Sequence, residues 1–329
     1  MRTPLLLLGC ALLSAARPLR AQDLPLDSLL RTPVSAAAKY AQTISEAAAS
    51  VTIITADDIR RHGYRTLDEL LRRVPGFYTT YDRNYAYLGV RGFSRPGDYN
   101  NRILLLIDGH TLNEGVFGSM PAGTDLALDP DVIDRVEVVH GPGSALYGTG
   151  AMLTSINIVT LNGRQLDGVR VAVGAGSSGL RHASAVAGGV LGRRTEVTVA
   201  GQWTEVAGRD LYYPEYDGPA TNGVARDLDW DRHRSVLLGL RSGGWGVSAF
   251  AGTRSKGIPT GAYGIDFNDG RARTLDELRF VELRYGTAAA APAQLNLRGF
   301  GSHYGYAGSY PYGQTNYDAA ADDAIGGEA

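Results

Sequence analysis

The stretch from Asp131 to Thr160, DVIDRVEVVHGPGSALYGTGAMLTSINIVT, constrains this chain more than any other. Val132, Asp134, Val136 and Val138 alternate with Ile133, Arg135, Glu137 and Val139, a period of two rich in β-branched residues, which predicts a strand. Gly141-Pro142-Gly143 breaks it, because proline has no N–H to give to a ladder and glycine accepts positive φ. Ser144 is placed to cap a short helical turn, Ala145-Leu146-Tyr147, closed by Gly148 and Gly150. Ile156-Asn157-Ile158-Val159 resumes a strand. The residues by themselves establish a strand, a glycine-rich turn and a strand in one compact unit.

A second ordered stretch lies upstream. Ala49 to Thr55 reads as a strand, and Thr55 caps a helix that opens with Asp57 and Asp58, acids suited to a helix N-terminus. Gly63 ends that helix. Thr66 caps a second one, Leu67 to Val74, with an apolar stripe of Leu67, Leu70 and Leu71 and with Arg72 and Arg73 at its end, before Pro75-Gly76 stops it. Ile103 to Ile107 is a continuously apolar strand, as expected where both faces are buried, and Asp108-Gly109 closes it.

These two stretches resemble the plug domain of TonB-dependent outer-membrane receptors. Ile133 to Gly143, Tyr147-Gly148, Ala151 and Ile156-Asn157-Ile158 are similar to the plug's C-terminal end. His140 stands where the family usually has arginine, and Leu153-Thr154-Ser155 where two glycines are usual. The run VTIITADDIRRHGYRTLDELLRRVPGF resembles the plug's opening, and Gly89-Val90-Arg91-Gly92-Phe93 its R-G-F element. A generic β-turn-β unit is the alternative for the first stretch alone.

From Gly168 onward the texture changes. Val169, Val171 and Val173 alternate with Arg170, Ala172 and Gly174; Val197, Val199 and Trp203 with Glu196, Thr198 and Gln202; Val281, Leu283 and Tyr285 with Phe280, Glu282 and Arg284. Segments with one apolar face and one polar or small face are the pattern of a barrel with lipid outside and water inside. Trp203, Trp245 and Tyr285 suit membrane interfaces. Short turns at Gly192-Arg193-Arg194, Ser242-Gly243-Gly244 and Ala291-Pro292 alternate with long loops read at Gly208 to Asp231, Ser255 to Asp276 and Tyr304 to Ile325. The expected fold class is therefore an α+β plug, a small mixed β-sheet with short helices, followed by antiparallel transmembrane β-barrel strands. About seven wall strands fit, against about 22 in barrels wide enough to hold a plug, so the resemblance implies an incomplete barrel.

The N-terminus bears on compartment. Arg2, the apolar run Leu5 to Leu8, Ala11-Leu12-Leu13 and small residues up to Ala21 make a secretory signal peptide over 1–21, too short for a spanning helix. The sole cysteine, Cys10, lies inside it; a lipoprotein site there is the alternative. Residues 22–48 read as a flexible segment, 49–163 as the plug and 168–329 as wall. The resemblance implies a TonB box near the mature N-terminus, which pairs as an added strand with its partner. Thr32-Pro33-Val34-Ser35-Ala36 is the candidate, an ordinary linker the alternative.

Composition excludes some functions. A net charge of -2 on 329 residues, with no concentrated basic patch, argues against nucleic acid. No H-E-x-x-H, P-loop or G-x-S-x-G element occurs, so no enzyme or cofactor is indicated. Asp227, Asp229 and Asp231 alternate in a long loop, as loose calcium ligands or a solvated acidic rim. Gly 43 and Tyr 18 are high, and many tyrosines fall in predicted loops, where they offer rigid amphipathic contacts.

What the resemblance implies is an outer-membrane receptor, N-terminus in the periplasm, embedded in outer-membrane lipid and energised by the TonB complex. Its ligand would be a scarce, large small molecule of siderophore, haem or cobalamin type; carbohydrate uptake and a passive structural barrel or adhesin are alternatives. Plug loops facing the ligand would hold Tyr81, Asp82, Arg83, Asn84, Tyr85, Arg95, Tyr99, Asn100 and Phe117, or those aromatics simply stack on the plug surface. Arg91, Arg135 and Glu137 are the candidate charges between plug and wall. No metal site is expected.

Overall fold

The computed structural model describes residues 49–94, 97–287 and 293–329, together with the backbone of two short strands, β1 (Pro33–Val34) and β2 (Gln42–Thr43), which pair antiparallel. Strand β3 (Ser50–Thr55) runs straight into helix α1 (Ala56–His62). Thr55 Oγ1 accepts the Asp58 N–H at 3.2 Å and the Asp58 carboxylate accepts the Thr55 N–H at 3.0 Å, so two otherwise orphaned donors are satisfied reciprocally. Gly63, at φ +66, ends the helix in a conformation glycine adopts freely. Helix α2 (Leu67–Leu71) is shorter than the expected Leu67 to Val74, since Arg72 to Val74 continue as a turn closed by Val74 N on Leu71 O at 2.9 Å.

Next come the hairpin β4 (Phe77–Tyr81) and β5 (Ala86–Val90), then β6 (Ile103–Ile107), β7 (His110–Thr111), β8 (Ile133–His140), α3 (Ser144–Tyr147), β9 (Thr154–Thr160) and α4 (Gly163–Leu166). The main sheet has the order β3-β8-β9-β6-β7, with β6 and β9 parallel and the other pairs antiparallel. Every residue of Ile103–Ile107 is buried, as its unbroken apolar run predicts. Ile59, Leu67, Leu70 and Leu71 from the helices pack into the same core as Val136, Val138, Ile156 and Ile158. The glycine turn differs in detail from expectation. Gly143 takes the cap position, and Ser144 Oγ donates to Ala151 O at 3.1 Å. The unusual Leu153-Thr154-Ser155 does not disturb the ladder: Thr154 opens β9 and its hydroxyl donates to Val139 O at 2.6 Å.

The wall comprises β10 (Gly168–Ala175), β11 (Arg181–Leu191), β12 (Thr195–Val206), β15 (Asp231–Ser242), β16 (Trp245–Gly257), β17 (Arg273–Gly286), β18 (Asn296–Tyr312) and β19 (Gln314–Glu328), antiparallel in chain order. A small ribbon, β13 (Leu211–Tyr212) with β14 (Val224–Ala225), sits in the long loop before β15. That makes eight wall strands where about seven were expected. The difference is Tyr304 to Ile325, read as a loop, which is instead the hairpin of β18 and β19 turning at Gly313 with φ +74. Its outward positions include Gly305, Ala307, Ala319 and Ala321 together with the polar pair His303 and Asp323, so no apolar alternation marked it as strand.

Register sorts the wall's side chains. Val197, Leu240, Val247 and Leu283 share one outward rung, and Val199, Leu238, Ala249 and Val281 the next, all as an apolar belt requires. At the short-turn end of the belt Trp245 pairs with Tyr285, ring centroids 4.7 Å apart. Toward the long-loop end Trp203 lies beside Arg234, and one rung further Arg181, Glu205 and Arg232 follow, with Arg232 on Glu205 at 2.8 Å. The inward face is less uniformly polar than expected. Val186, Ala200, Leu237, Phe250 and Phe280 form one apolar rung across five strands, and all belong to the core that also holds the plug's apolar side chains. Plug and wall therefore share a single core. Among the described residues no helix is long and apolar enough to cross a membrane.

Candidate ligand site between the plug apex and the wall

The plug hairpin β4–β5 turns at Asp82 to Tyr85. The Asp82 carboxylate accepts the N–H groups of Asn84 and Tyr85 at 2.8 and 2.7 Å and the Tyr87 hydroxyl at 2.8 Å, while Arg83 takes φ +75. An aspartate that captures nearby N–H groups is the side-chain form of a turn. The tip so shaped docks on the wall. Arg254 of β16, fully buried, donates through Nη2 to the Asn84 carbonyl and pairs with Asp231 of β15 at 3.2 Å and Asp276 of β17 at 3.4 Å. The Tyr85 hydroxyl donates to Asp276 at 2.8 Å, Thr274 Oγ1 to the Asn84 side-chain oxygen at 2.9 Å, and Thr124 Oγ1 to Asp231 at 2.6 Å. A buried guanidinium shared between two carboxylates is tolerable only with its donors satisfied, which these contacts achieve.

A second plug loop stands beside this tip. Glu114, buried, accepts the N–H groups of Val116, Phe117 and Ser119 and the Ser119 hydroxyl. The neighbouring Gly115 N–H donates to Asp322 of β19 at 3.0 Å, tying the loop to the wall. Asn100, at φ +58, bonds Leu88 N, Ala86 O and Met120 O, joining three plug segments, and the Tyr99 and Phe117 rings stack at 5.5 Å. Deeper in, His110 of β7 bonds Glu282 of β17 at 2.8 Å and stacks on Phe280 at 4.1 Å; Arg284 and Arg298 also hold that carboxylate.

Between the two plug loops and strands β17 to β19 lies a cavity of about 480 Å³. Tyr85, Tyr87, Tyr99, Asn100 and Phe117 face it from the plug, and Tyr263, Tyr304, Tyr306, Tyr310, Tyr312 and Tyr317 from the wall and its loops. Burial holds the phenols of Tyr85 and Tyr87 well above their usual range and pushes Tyr263 up to about 12, so these hydroxyls are neutral donors near pH 7. Burial likewise pushes the Asp125 carboxyl, at the cavity floor, up to about 6.

The structure brings together Tyr85, Tyr99, Asn100 and Phe117 of the sequence-derived set. Asp82 and Asn84 shape and anchor the tip, and Arg83 pairs with Asp229 at 3.5 Å. Tyr81 is exposed and lies outside the cavity lining. Arg95 lies outside the described residues. So do Thr32, Ser35 and Ala36, while Pro33–Val34 form β1. Arg135 pairs with Asp134 and with the fully buried Glu137, both at 2.8 Å, and Arg91 is exposed at φ +51. Among the described residues, Arg83 with Asp229 is an ion pair that crosses from plug to wall, and His110 is joined to Glu282 across the same boundary. Of the alternating aspartates, Asp229 is met by Lys256 at 3.1 Å and Asp231 by Arg254, so protein cations sit where calcium or solvent was expected. Among the described residues no cluster of metal-ligating side chains occurs. Sequence reasoning missed Arg254 and Asp276. Their signal was an ionisable residue at an inward position of each neighbouring strand: Arg254 pairs in register with Asp276.

A family model described as the TonB-dependent Receptor Plug Domain matches residues 43–153. Over these residues the chain carries a plug domain of the TonB-dependent receptor kind. Among curated relatives, the vitamin B12 transporter BtuB of Vibrio vulnificus (strain CMCP6) is 31% identical over 219 residues, covering 64% of this chain and 34% of the transporter. Among solved structures, the FrpB iron transporter from Neisseria meningitidis superposes with a TM-score of 0.63 at 16% identity, covering 84% of this chain and 45% of that one. The ferric yersiniabactin uptake receptor FyuA from Yersinia pestis gives 0.60 at 21%, covering 84% and 44%. At such identities the structures establish a shared fold: a plug sheet against an antiparallel wall, here not closed. The chain spans about a third of the length of the curated relative it matches.

Proposed function

We propose that the chain is the plug and part of the wall of an outer-membrane receptor that actively takes up a scarce, bulky ligand of siderophore or cobalamin type. The observation that carries this reading is the aromatic cavity at the long-loop end, built jointly by plug and wall. Its volume lies within the roughly 300–1,000 Å³ of small-molecule sites. In this reading residues 1–21 are a signal peptide, 22–48 a periplasmic N-terminal segment, 49–163 the plug, and 168–329 wall in outer-membrane lipid. The TonB complex engages Thr32 to Ala36 by strand addition, and the short strand at Pro33–Val34 supports a segment able to pair. Arg91, Arg135 and Glu137 then set how the plug responds to that pull. Relatedness to a vitamin B12 transporter supports the uptake reading.

The test is ligand accumulation by cells carrying the whole receptor, with and without TonB, and with Thr32 to Ala36 deleted. Accumulation should fall to background in both altered cases. Uptake that ignores the loss of TonB would sink the active-transport reading, and uptake that ignores only the deletion would sink the box assignment.

A further inference from the structure

Charge, and not only shape, distinguishes the cavity. Among the described residues no lysine or arginine lines it, whereas Glu114, Asp125, Asp276, Glu277 and Asp318 do, of which Glu277 is paired with Arg279 at 2.7 Å. The guanidinium of Arg254 lies fully buried behind Tyr85 and is shared between Asp231 and Asp276, one cation against two carboxylates. Glu114 is satisfied by N–H and O–H groups that carry no formal charge, so its own charge remains. Asp318 is exposed at the mouth, on the inward face of β19, opposite Gly308, and has no ion pair among the described residues. Most of the aromatic lining is tyrosine, set among Asn100, Asn316 and apolar residues such as Leu112, Met120 and Leu278. A phenol offers an aromatic face that favours cations over anions, and a hydroxyl that suits neutral polar groups. Tyr306 and Tyr310 already bond one another through their hydroxyls.

From this we infer that the cavity takes a net-neutral or cationic ligand, gripped by tyrosine faces and hydroxyls, and turns away polyanionic metal chelates. The inference rests on the uptake reading and narrows it to a ligand class. A ligand charge about 10 Å from an uncompensated carboxylate, at an effective dielectric of about 20, changes the dissociation constant by about tenfold. A multiply charged anion feels that penalty once per charge.

The experiment measures binding to the whole receptor in detergent micelles, by tyrosine fluorescence and calorimetry. Three probes are compared: cyanocobalamin, which is net neutral; a neutral malto-oligosaccharide; and the anionic ferric tris-catecholate of enterobactin. At least one neutral probe should bind about tenfold or more tighter than the anion, and which of the two does so separates a corrinoid from a carbohydrate source. Asp318→Asn should narrow the gap, and the pair Asn316→Arg with Asp318→Lys should close or reverse it. Asp318 is exposed, so the single isosteric change keeps the test open should the double variant misfold. Equal or tighter binding of the anion by the unmodified receptor, or failure of both neutral probes to bind, overturns the inference. Loss of TonB-dependent accumulation for every ligand instead counts against the uptake reading on which it rests.

Discussion

The guanidinium of Arg254, on the wall, donates to the main-chain carbonyl of Asn84, at the tip of the plug. One side chain thereby bonds a plug turn and two wall aspartates at once. Arg254→Met preserves much of the volume but leaves Asp231 and Asp276 buried without the guanidinium, with Thr124, His233 and Tyr85 as their remaining partners. Removing one partner of a buried pair typically costs about 3–5 kcal/mol. Thermal unfolding of the variant should shift down by several degrees, and large-solute permeability should rise. A melting curve that overlays the unmodified one would mean the cluster does not fasten the plug.

Glu282 tests the deeper contact. It is fully buried and held by His110, Arg284 and Arg298, and its carboxyl is common to all three. Glu282→Gln should therefore destabilise by about 2–4 kcal/mol. His110→Phe keeps the stacking on Phe280 and leaves the carboxylate with two arginines, so its effect should stay near 1 kcal/mol. Denaturant midpoints in the same detergent rank the two; a larger effect for His110→Phe would reverse the assignment.

Asp125 gives a pH dependence with a definite sign. Burial raises its folded-state pKa from 3.8 to about 6. Below about pH 4 the group is protonated in both states and has no effect. Between about pH 4 and 6 the folded form keeps a proton that the unfolded form has lost, so this group's contribution falls as pH rises, by about 1–3 kcal/mol in all. Above 6 it levels off. Asp125→Asn should flatten the stability profile across that window, as read by denaturation at a series of pH values. An unchanged slope would place the ionisation elsewhere.

The junction of β3 and α1 offers a local check. Thr55→Ala removes the hydroxyl of the reciprocal cap with Asp58 and should lower stability by about 1 kcal/mol, whereas Thr55→Ser should restore most of it. Equal losses for alanine and serine would point to the methyl group and not the cap.

The plug was legible because its signals are local. Thr55, Gly63, Pro75 and the Gly141-Pro142-Gly143 turn each act within a few residues, and Ile103–Ile107 announces burial through composition alone. The wall was legible wherever valine, leucine or tryptophan alternated with polar residues. It failed at β18 and β19, where much of the outward face is glycine and alanine, with His303 opposite Asp323, and where tyrosines of β18 face inward beside Asp318 and Asp322 of β19. The part of the cavity lining from Tyr304 to Asp318 was therefore assigned to a loop that is in fact a hairpin. Tyr85, Tyr99 and Phe117 could be singled out from sequence, but Asp276 and Arg254 could not. Their meaning depends on a register between strands about 20 residues apart and on a plug turn nearly 200 residues away.

The inward rung of Val186, Ala200, Leu237, Phe250 and Phe280 has a mechanical corollary. Drawing the whole plug out as a rigid stopper would wet this band together with the matching apolar face of the plug, and the resisting force would peak in a single early step. Unravelling one plug segment at a time leaves the remainder seated on the band and spreads the work along the pull. Force applied to the N-terminus of this molecule should therefore be met by a series of small yields, with the last of them at the strands lying on Phe250 and Phe280.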